Sequence, residues 1–247
     1  MLTTVFFDLD NTLLDFDRGE AHALSRALRR FGIDPTPAVL TRYHAINLSQ
    51  WELLEEGKLT KEQVLTRRFD LLFAELGAAC DSRAVCDLYE SLLAEEHDFV
   101  PGARELLESL APRYSLYLAT NGAAAVQRRR LADAGIAPYF QNIFISEEVG
   151  FHKPSPAFFR ACFAAIPGFD PACALMVGDS LTSDVRGGRD AGIRTCWFDP
   201  HDRSHRADIR PDYTITALSQ LPALLEAVGE ITAITYVITG ILAVCSS

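Results

Sequence analysis

The sequence lacks several features that would place it in a broad class at once. Its six cysteines form no CxxC pair, which argues against disulfides and a zinc site and predicts buried thiols in a reducing, cytoplasmic compartment. Basic residues are in the minority, with 23 Lys and Arg against 33 Asp and Glu. The resulting net charge of −10 argues against nucleic acid and anionic membranes as partners. The N-terminus has no basic stretch before its apolar run, so we expect no signal peptide.

Long apolar runs are also missing, with one partial exception near the C-terminus. Residues 231–245 are apolar, β-branched and uncharged. A membrane helix needs about 20 such residues, so this segment is short for a span. A weak tail anchor, a packed strand or hairpin, and a non-native read-through sequence all stay open. The last two together are favoured, so we expect no stable membrane insertion.

What the sequence does contain is an alternation of short apolar strands and helices. Its 247 residues, 49% of them hydrophobic, suffice for one domain with an insertion. The strands are apolar on both faces, which is typical of a parallel sheet covered by helices on both sides. We therefore predict an α/β fold with a doubly wound, Rossmann-like parallel sheet. The predicted strands are Thr3–Leu9, Tyr114–Thr120, Ile143–Ser146, Cys173–Gly178, Arg194–Phe198 and Tyr213–Ile215, and Leu218–Val228 is predicted as the closing helix.

One region interrupts the alternation. Residues 18–97 contain no strand pattern but several helix starts: Thr36 before Pro37, a capping box from Thr60 to Gln63, and Asp81. We predict that this region is an all-helical cap inserted into the sheet domain. The core would then consist of residues 1–17 and 98–229, and the apolar tail 230–247 stays unassigned.

Polar residues follow four of the predicted strands. In an open α/β sheet, ligands bind beyond the carboxyl ends of the strands, so these residues should converge. A like-charged pair of carboxylates about 4 Å apart costs about 4 kcal/mol at an effective dielectric near 20, and a hard divalent cation such as Mg²⁺ would offset that repulsion. The converging residues are Asp8, Asp10, Thr120, Asn121, Lys153, Asp179 and Asp184.

A lysine and hydroxyl groups beside such a cation would form a phosphate site. Each motif alone is weak, because single polar residues at strand ends are usually turn formers. Their joint occurrence, in order and each after an apolar strand, favours a functional site.

The four motifs resemble those of the haloacid dehalogenase-like hydrolases. They read DLDNT, Thr120, Lys153-Pro154 and GDSLTSD, and the resemblance extends over roughly residues 3–228. The helical insertion is similar to the C1 cap of that superfamily. Three further stretches resemble the branch of pyrimidine 5′-nucleotidases, namely YHAINLSQWELLEEGKLT, TNGAAAVQRRRLADAGI and SEEVGFHKP.

The resemblance implies a role for each motif residue. Asp8 would be the nucleophile that forms an aspartyl-phosphate, and Asp10 the general acid and then base. Thr120 and Lys153 would hold the transferring phosphoryl oxygens, with help from Asn121.

Mg²⁺ would be the implied cofactor. Asp179, the Asp8 carboxylate and the Asp10 backbone carbonyl would bind it, and Asp184 would act nearby through water. The implied substrate is a small phosphorylated metabolite, and the resemblance to the nucleotidase branch favours a nucleoside monophosphate.

Three alternatives bear on this function. Dehalogenases of the same fold do not use the second aspartate as acid and base, so the presence of Asp10 and Lys153 favours a phosphatase. A phosphatase of small sugar or acid phosphates, similar to phosphoglycolate or acylneuraminate phosphate, stays open within the class. A non-catalytic module that binds phosphorylated ligands is disfavoured, because binding alone needs no nucleophile.

Other residues near the motifs allow a structural and a functional interpretation. Asn47 and Trp51 lie one helical turn apart in the cap. A core tryptophan is the safer interpretation of Trp51, and stacking or hydrogen bonding to a base is the rival. The structural interpretation is also preferred for the remaining candidates. We predict that Asp15 and Asp17 are solvated loop residues, that His152 is a loop residue, and that Arg128–Arg130 form an exposed helical face.

Overall fold

The computed structural model describes residues 1–201 and 208–228. At its centre lies a six-stranded, fully parallel sheet in the order β3-β2-β1-β4-β5-β6. The predicted α/β fold is therefore confirmed, and each predicted strand is present with ends within two residues of those expected. The apolar tail 231–245 lies outside the described residues. The strands are β1 Thr4–Phe7, β2 Ser115–Thr120, β3 Asn142–Ile145, β4 Ala174–Gly178, β5 Arg194–Phe198 and β6 Tyr213–Ile215.

The first strand occupies the middle of the sheet, between β2 and β4. Successive side chains of a strand point to opposite faces. Val5 and Phe7 accordingly join one large hydrophobic cluster, while Phe6 joins a second cluster on the other side. Both faces of β1 are thus buried, and its carboxyl end lies beside the crevice where the strand order reverses, which is where such sheets bind ligands.

The described part of the chain contains ten α-helices. Pro at the first helical position and side-chain caps begin several of them, as at Thr36 of α2 and Ser155 of α8. None of the helices in residues 1–201 and 208–228 combines the length and apolar composition that a bilayer crossing requires. The helices are α1 Phe16–Arg30, α2 Pro37–Glu55, α3 Lys61–Leu76, α4 Ser82–Leu93, α5 Ala103–Leu110, α6 Ala124–Asp133, α7 Ser146–Val149, α8 Pro156–Ala164, α9 Arg186–Asp190 and α10 221–228.

Helices α1 to α4 lie between β1 and β2 in the chain and share a hydrophobic cluster of their own. Tyr43 and Phe69 are at its centre, with ring centroids 5.1 Å apart. The capping box at Thr60 and Gln63 is present as predicted, and Asp81 caps α4. These four helices are the region that we predicted as a cap, and we call them the cap helices below.

The cysteines of the described ranges are unpaired. Cys86, Cys162 and Cys196 are buried as expected, whereas Cys80 and Cys173 are half-buried. Burial raises the pKa of Cys162 and of Cys196 to about 12. These two thiols therefore stay protonated and unreactive at neutral pH.

Candidate active site

The site begins where the chain leaves β1. Asp8 still continues the sheet, because its backbone N–H donates to the carbonyl of Val177 at 2.9 Å. The chain then reverses: the N–H groups of Leu13 and Leu14 both donate to the carbonyl of Leu9 at 2.9 Å. This turn keeps Asp8 on the sheet and brings Asp10 to the edge beyond it.

Lys153 lies in the middle of the acidic residues. Its ammonium group donates to Oδ1 of Asp8 and Oδ1 of Asp184, both at 2.6 Å, and to the carbonyl of Ala119 at 2.7 Å. The side chain is only 1% exposed. All three donors of the ammonium group are therefore used, and a phosphate oxygen that binds Lys153 must replace one of these acceptors.

Burial and charge act in opposite directions on this group of residues. The pKa of Asp8 is raised to about 7, mainly by burial and also by the charges of Asp184 and Asp10, while Lys153 opposes the rise. Burial alone would lower the pKa of Lys153, but the charges of Asp184 and Asp8 and the bonds to them raise it above its usual value. Lys153 therefore stays positively charged, and Asp8 is easily protonated while no further cation is bound.

Asp8, Asp179 and Asp184 fit a divalent cation. Each offers a carboxylate oxygen, and these oxygens all lie within 4.8 Å of one another. Carboxylate oxygens are the ligands that Mg²⁺ prefers. Close approach of Asp184 depends on Gly178, because a Cβ added there would lie 2.2 Å from Oδ2 of Asp184. Asp10 contributes no carboxylate oxygen to this group.

The carboxylate of Asp10 is instead held by two residues of α6. Gln127 donates from Nε2 to Oδ2 of Asp10 at 2.6 Å and to Oγ1 of Thr120 at 3.0 Å. Arg130 donates from Nη1 to Oδ1 of Asp10, and from Nε to the carbonyl of Glu96 at 2.8 Å. Asp10 is thus fixed through both of its oxygens.

The prediction that Arg128–Arg130 form an exposed face is wrong for Arg130. Its side chain is 1% exposed, whereas Arg128 and Arg129 are about half exposed and pair with acidic residues on the surface. A periodic pattern does not reveal which arginine faces inward. The position of α6 in the chain could have indicated a buried arginine. This helix follows shortly after Thr120, so its inward face must approach the strand ends.

Thr120 and Asn121 differ in what they can offer a ligand. Thr120 is buried at the end of β2, with its hydroxyl toward Gln127. Asn121 exchanges hydrogen bonds with Lys153: its Nδ2 donates to the Lys153 carbonyl at 2.9 Å, and its Oδ1 accepts from the Lys153 N–H at 2.8 Å. The Asn121 side chain therefore positions the Lys153 backbone.

Asn47 and Trp51 lie on α2 above the strand ends. Asn47 is 3% exposed and donates to Glu20 at 2.6 Å, and its Oδ1 accepts from Arg68 at 3.1 Å and from Trp51 at 3.0 Å. Its amide is thus engaged inside the cap helices. The Trp51 indole is anchored through its N–H, and its ring lines the cavity described below.

Lys61 and His152 are among the side chains that join the cap helices to the sheet domain. Lys61, at the start of α3, donates to the carbonyls of Asn121 and Gly122 at 2.8 and 2.7 Å. His152 contacts the carbonyl of Leu54 through Nε2 at 3.0 Å. His152 lies in a loop as predicted, and it also holds the end of α2 close to Lys153.

The two acids expected to be solvated support the turn after β1. Asp15 caps α1, because its Oδ1 accepts from the N–H of Arg18 at 3.0 Å. Asp17 is exposed as predicted but lies in the first turn of α1 and not in a loop, and its Oδ1 accepts from Nδ2 of Asn11 at 2.8 Å. Asn11 has a φ of 58°, which asparagine tolerates better than most residues.

A cavity of about 370 Å³ lies between the strand ends and the cap helices. It brings together every candidate residue that the sequence analysis assigned to the site. The cavity is lined by the candidates Asp8, Asp10, Asn47, Trp51, Thr120, Asn121, Lys153, Asp179 and Asp184, and also by Glu55, Gln127 and Arg130.

Comparison with known proteins identifies the family. The family model of haloacid dehalogenase-like hydrolases matches residues 2–192. The chain belongs to this family. The haloacid dehalogenase-like hydrolase fold is also seen in a crystal structure of the HAD-hydrolase YfnB from Bacillus subtilis bound to magnesium. The two sequences are 38% identical, the match covers 91% of this chain and 98% of the YfnB chain, and the TM-score is 0.87.

Two curated relatives in this family of hydrolases are named for nucleotides. The pyrimidine 5′-nucleotidase PynA of Streptococcus pneumoniae is 39% identical over 88% of this chain and 92% of its own length. The pyrimidine 5′-nucleotidase YjjG of Escherichia coli is 32% identical over 90% of this chain and 96% of its own length. The predicted membership in the haloacid dehalogenase-like hydrolases, and hence the prediction of an enzyme, is confirmed.

Proposed function

We propose that this hydrolase is a Mg²⁺-dependent phosphatase of pyrimidine nucleoside monophosphates, and that it acts through an aspartyl-phosphate on Asp8. One observation carries the proposal. The buried carboxylate of Asp8 lies at the floor of the cavity, 2.6 Å from the ammonium of Lys153 and within reach of a cation held with Asp179 and Asp184. That arrangement suits a nucleophile that meets a phosphoryl group.

The proposed reaction has two steps. A carboxylate oxygen of Asp8 attacks phosphorus, the phosphoester bond to the substrate alcohol breaks, and Asp10 gives its proton to the leaving oxygen. Asp10 then takes a proton from water, which attacks phosphorus, releases inorganic phosphate and restores Asp8. Arg130 and Gln127 hold Asp10 in a fixed orientation for both proton transfers.

Positioning and charge neutralisation supply most of the catalysis in phosphoryl transfer. Lys153 neutralises the acids around Asp8 and presents positive charge to the phosphoryl oxygens, and Thr120 bounds the same space. When bound by Asp8, Asp179, Asp184 and the Asp10 carbonyl, Mg²⁺ would supply the additional positive charge that the phosphoryl oxygens require.

Similarity to PynA and YjjG supports the pyrimidine nucleotide as substrate. The cavity volume of about 370 Å³ is of the size that small-molecule sites have. The ring of Trp51 lines that cavity and offers a surface on which a base can stack. A cytoplasmic location, where nucleoside monophosphates are available, is part of the same proposal.

The phosphatase is tested with p-nitrophenyl phosphate and Mg²⁺. We expect hydrolysis by the wild type, and a loss of at least about 1,000-fold in kcat for Asp8→Asn because the nucleophile is gone. Asp34→Asn, at an exposed position between α1 and α2, is the matched control and should keep wild-type activity. Equal rates for the wild type and Asp8→Asn would refute the mechanism.

The substrate is tested with a panel of phosphate monoesters ranked by kcat/KM. We expect uridine and thymidine 5′-monophosphates to rank above ribose 5-phosphate, phosphoglycolate and an acylneuraminate phosphate. Preference for one of the latter three would keep the phosphatase and replace the nucleotidase. Activity that is flat across the panel would remove the nucleotide as the specific substrate.

A further inference from the structure

Glu55 is the last residue of α2 and lines the same cavity as Asp8. Its Oε2 is buried and has no hydrogen-bond partner in the described part of the chain. A buried polar atom without a partner destabilises the protein, and the destabilisation is larger when the atom carries charge. A ligand in the cavity that donates a hydrogen bond would remove this cost.

The carboxyl group of Glu55 lies beside the phosphoryl site. Its pKa is raised to about 7, mainly by burial and also by the charge of Asp184, while a side-chain hydrogen bond with Thr182 and the charge of Lys153 oppose the rise. His152 holds the carbonyl of the preceding Leu54 at 3.0 Å. The end of α2 is therefore anchored next to the residues proposed to bind Mg²⁺ and phosphate.

Position along α2 separates Glu55 from the other cavity residues of that helix. At about 1.5 Å per residue, Trp51 lies about 6 Å and Asn47 about 12 Å further along the helix axis. Glu55 is thus next to the part of the substrate that directly follows the phosphate. Trp51 is one turn further away, at a distance that suits a second ring.

Charge decides which substrate group can meet Glu55. In its ionised form Glu55 can only accept hydrogen bonds, and it repels the negatively charged phosphate oxygens. The contacting group must be a donor. In a nucleotide, or in any phosphorylated sugar, the first donors beyond the ester oxygen are the hydroxyl groups of the sugar ring.

We propose that Oε2 of Glu55 accepts a hydrogen bond from a sugar hydroxyl of the substrate, and that Glu55 thereby selects phosphate esters of hydroxylated sugars. The inference rests on the proposed function, because it assigns a substrate group to the same cavity. It adds a specificity-determining residue from the cap helices, while Thr182 keeps the carboxyl group in place from the sheet domain.

The test compares substrates that differ only in these hydroxyls. The value of kcat/KM is measured for uridine 5′-monophosphate and for 2′,3′-dideoxyuridine 5′-monophosphate with the wild type, Glu55→Gln and Glu55→Met. A hydrogen bond to a charged group is among the stronger ones, so the wild type should prefer the hydroxylated substrate by about tenfold or more. Methionine has a similar length and no carboxyl oxygen, so the preference should fall below about threefold in Glu55→Met. In Glu55→Gln the preference should lie between the values of the wild type and Glu55→Met.

Because the preference is a ratio within each variant, a general loss of activity cancels. Glu56→Gln is the matched control: Glu56 is exposed and pairs with Lys58 at 2.6 Å, and its variant should keep the wild-type ratio. An unchanged ratio in Glu55→Met, or a wild type that does not distinguish the two nucleotides, would overturn the inference and leave the nucleotidase proposal intact.

Failure of the nucleotidase proposal has a different signature. The wild type would then hydrolyse p-nitrophenyl phosphate but neither nucleotide. In that case ribose 5-phosphate and 2-deoxyribose 5-phosphate replace the nucleotides in the same comparison. Loss of the preference in Glu55→Met would still support the inference, and its persistence would overturn it.

Discussion

Arg130 binds Asp10 across 120 residues of sequence, from the buried face of α6 to the turn after β1. The same guanidinium group donates to the carbonyl of Glu96, just before the chain returns from the cap helices. Asp10, which we propose as acid and base, is therefore positioned by a residue outside the four sequence motifs.

We expect Arg130→Lys to lower kcat for p-nitrophenyl phosphate by roughly 10- to 100-fold. A lysine cannot contact Asp10 and the Glu96 carbonyl with the fixed geometry of a guanidinium group. KM should change little, because Asp10 acts on the leaving oxygen after binding. Steady-state kinetics check this, with a melting curve to verify folding. Arg129→Lys, on the exposed face, is the control, and an equal kcat in both variants would contradict a positioning role.

Mg²⁺ affinity should depend on pH through Asp8. The pKa of Asp8 in the metal-free protein is raised to about 7, mainly by burial, so below pH 7 the carboxyl is protonated and a proton must leave when the cation binds. The apparent Kd for Mg²⁺ should rise by about tenfold for each pH unit below 7 and stay constant above pH 7. Calorimetric titration between pH 5.5 and 8.5 measures this. A Kd that stays constant over this range would show that Asp8 ionises independently of the cation.

Gly178→Ala should impair the cation site selectively. A Cβ at this position would lie 2.2 Å from Oδ2 of Asp184, so the carboxylate must move. We expect the Kd for Mg²⁺ to rise by about 10- to 100-fold, as when supporting residues of metal sites are changed. Gly122→Ala is a matched comparison, because its Cβ would meet Gln127 at 2.1 Å instead. That variant should lower kcat and keep the Mg²⁺ affinity, and equal losses of affinity in both would refute the assignment.

Lys61→Met should raise KM for the nucleotide by about tenfold. The ammonium group of Lys61 donates to the carbonyls of Asn121 and Gly122 in the loop after β2, and its loss loosens the cap helices over the cavity. Lys58→Met removes a charge from an exposed side chain nearby and is the control. Substrate titrations with both variants provide the measurement. An unchanged KM in Lys61→Met would mean that this contact does not hold the cavity closed.

The elements of the fold could be predicted because each carries a local signal. Strands such as β1 are short apolar runs, and the capping box at Thr60 marks the start of α3. The site motifs were predictable for a topological reason: parallel strands end at one edge, so the residues that follow them must meet. The structure brings Asp8, Lys153 and Asp184 together in this way.

The contacts that complete the site could not be predicted in the same way. Arg130 and Arg129 are neighbours of the same type, and only the orientation of α6 decides which of them reaches Asp10. The contacts of Asn47 could not be predicted for the same reason, because its amide binds Glu20 and Arg68 of two other helices. Such pairings depend on how segments that are distant in the sequence pack together, and a single sequence does not show which of them are in contact.

The ends of the cap helices meet where they leave the sheet domain. The N–H of Asp15 donates to the carbonyl of Asp98 at 2.9 Å, and Leu14 forms a bridge with Phe99. The two ends of a segment of more than 80 residues are therefore joined by a backbone hydrogen bond. Because the two ends are adjacent, we expect that another helical insert joined at residues 15 and 98 could replace the cap helices and change the substrate range while the sheet domain stays the same.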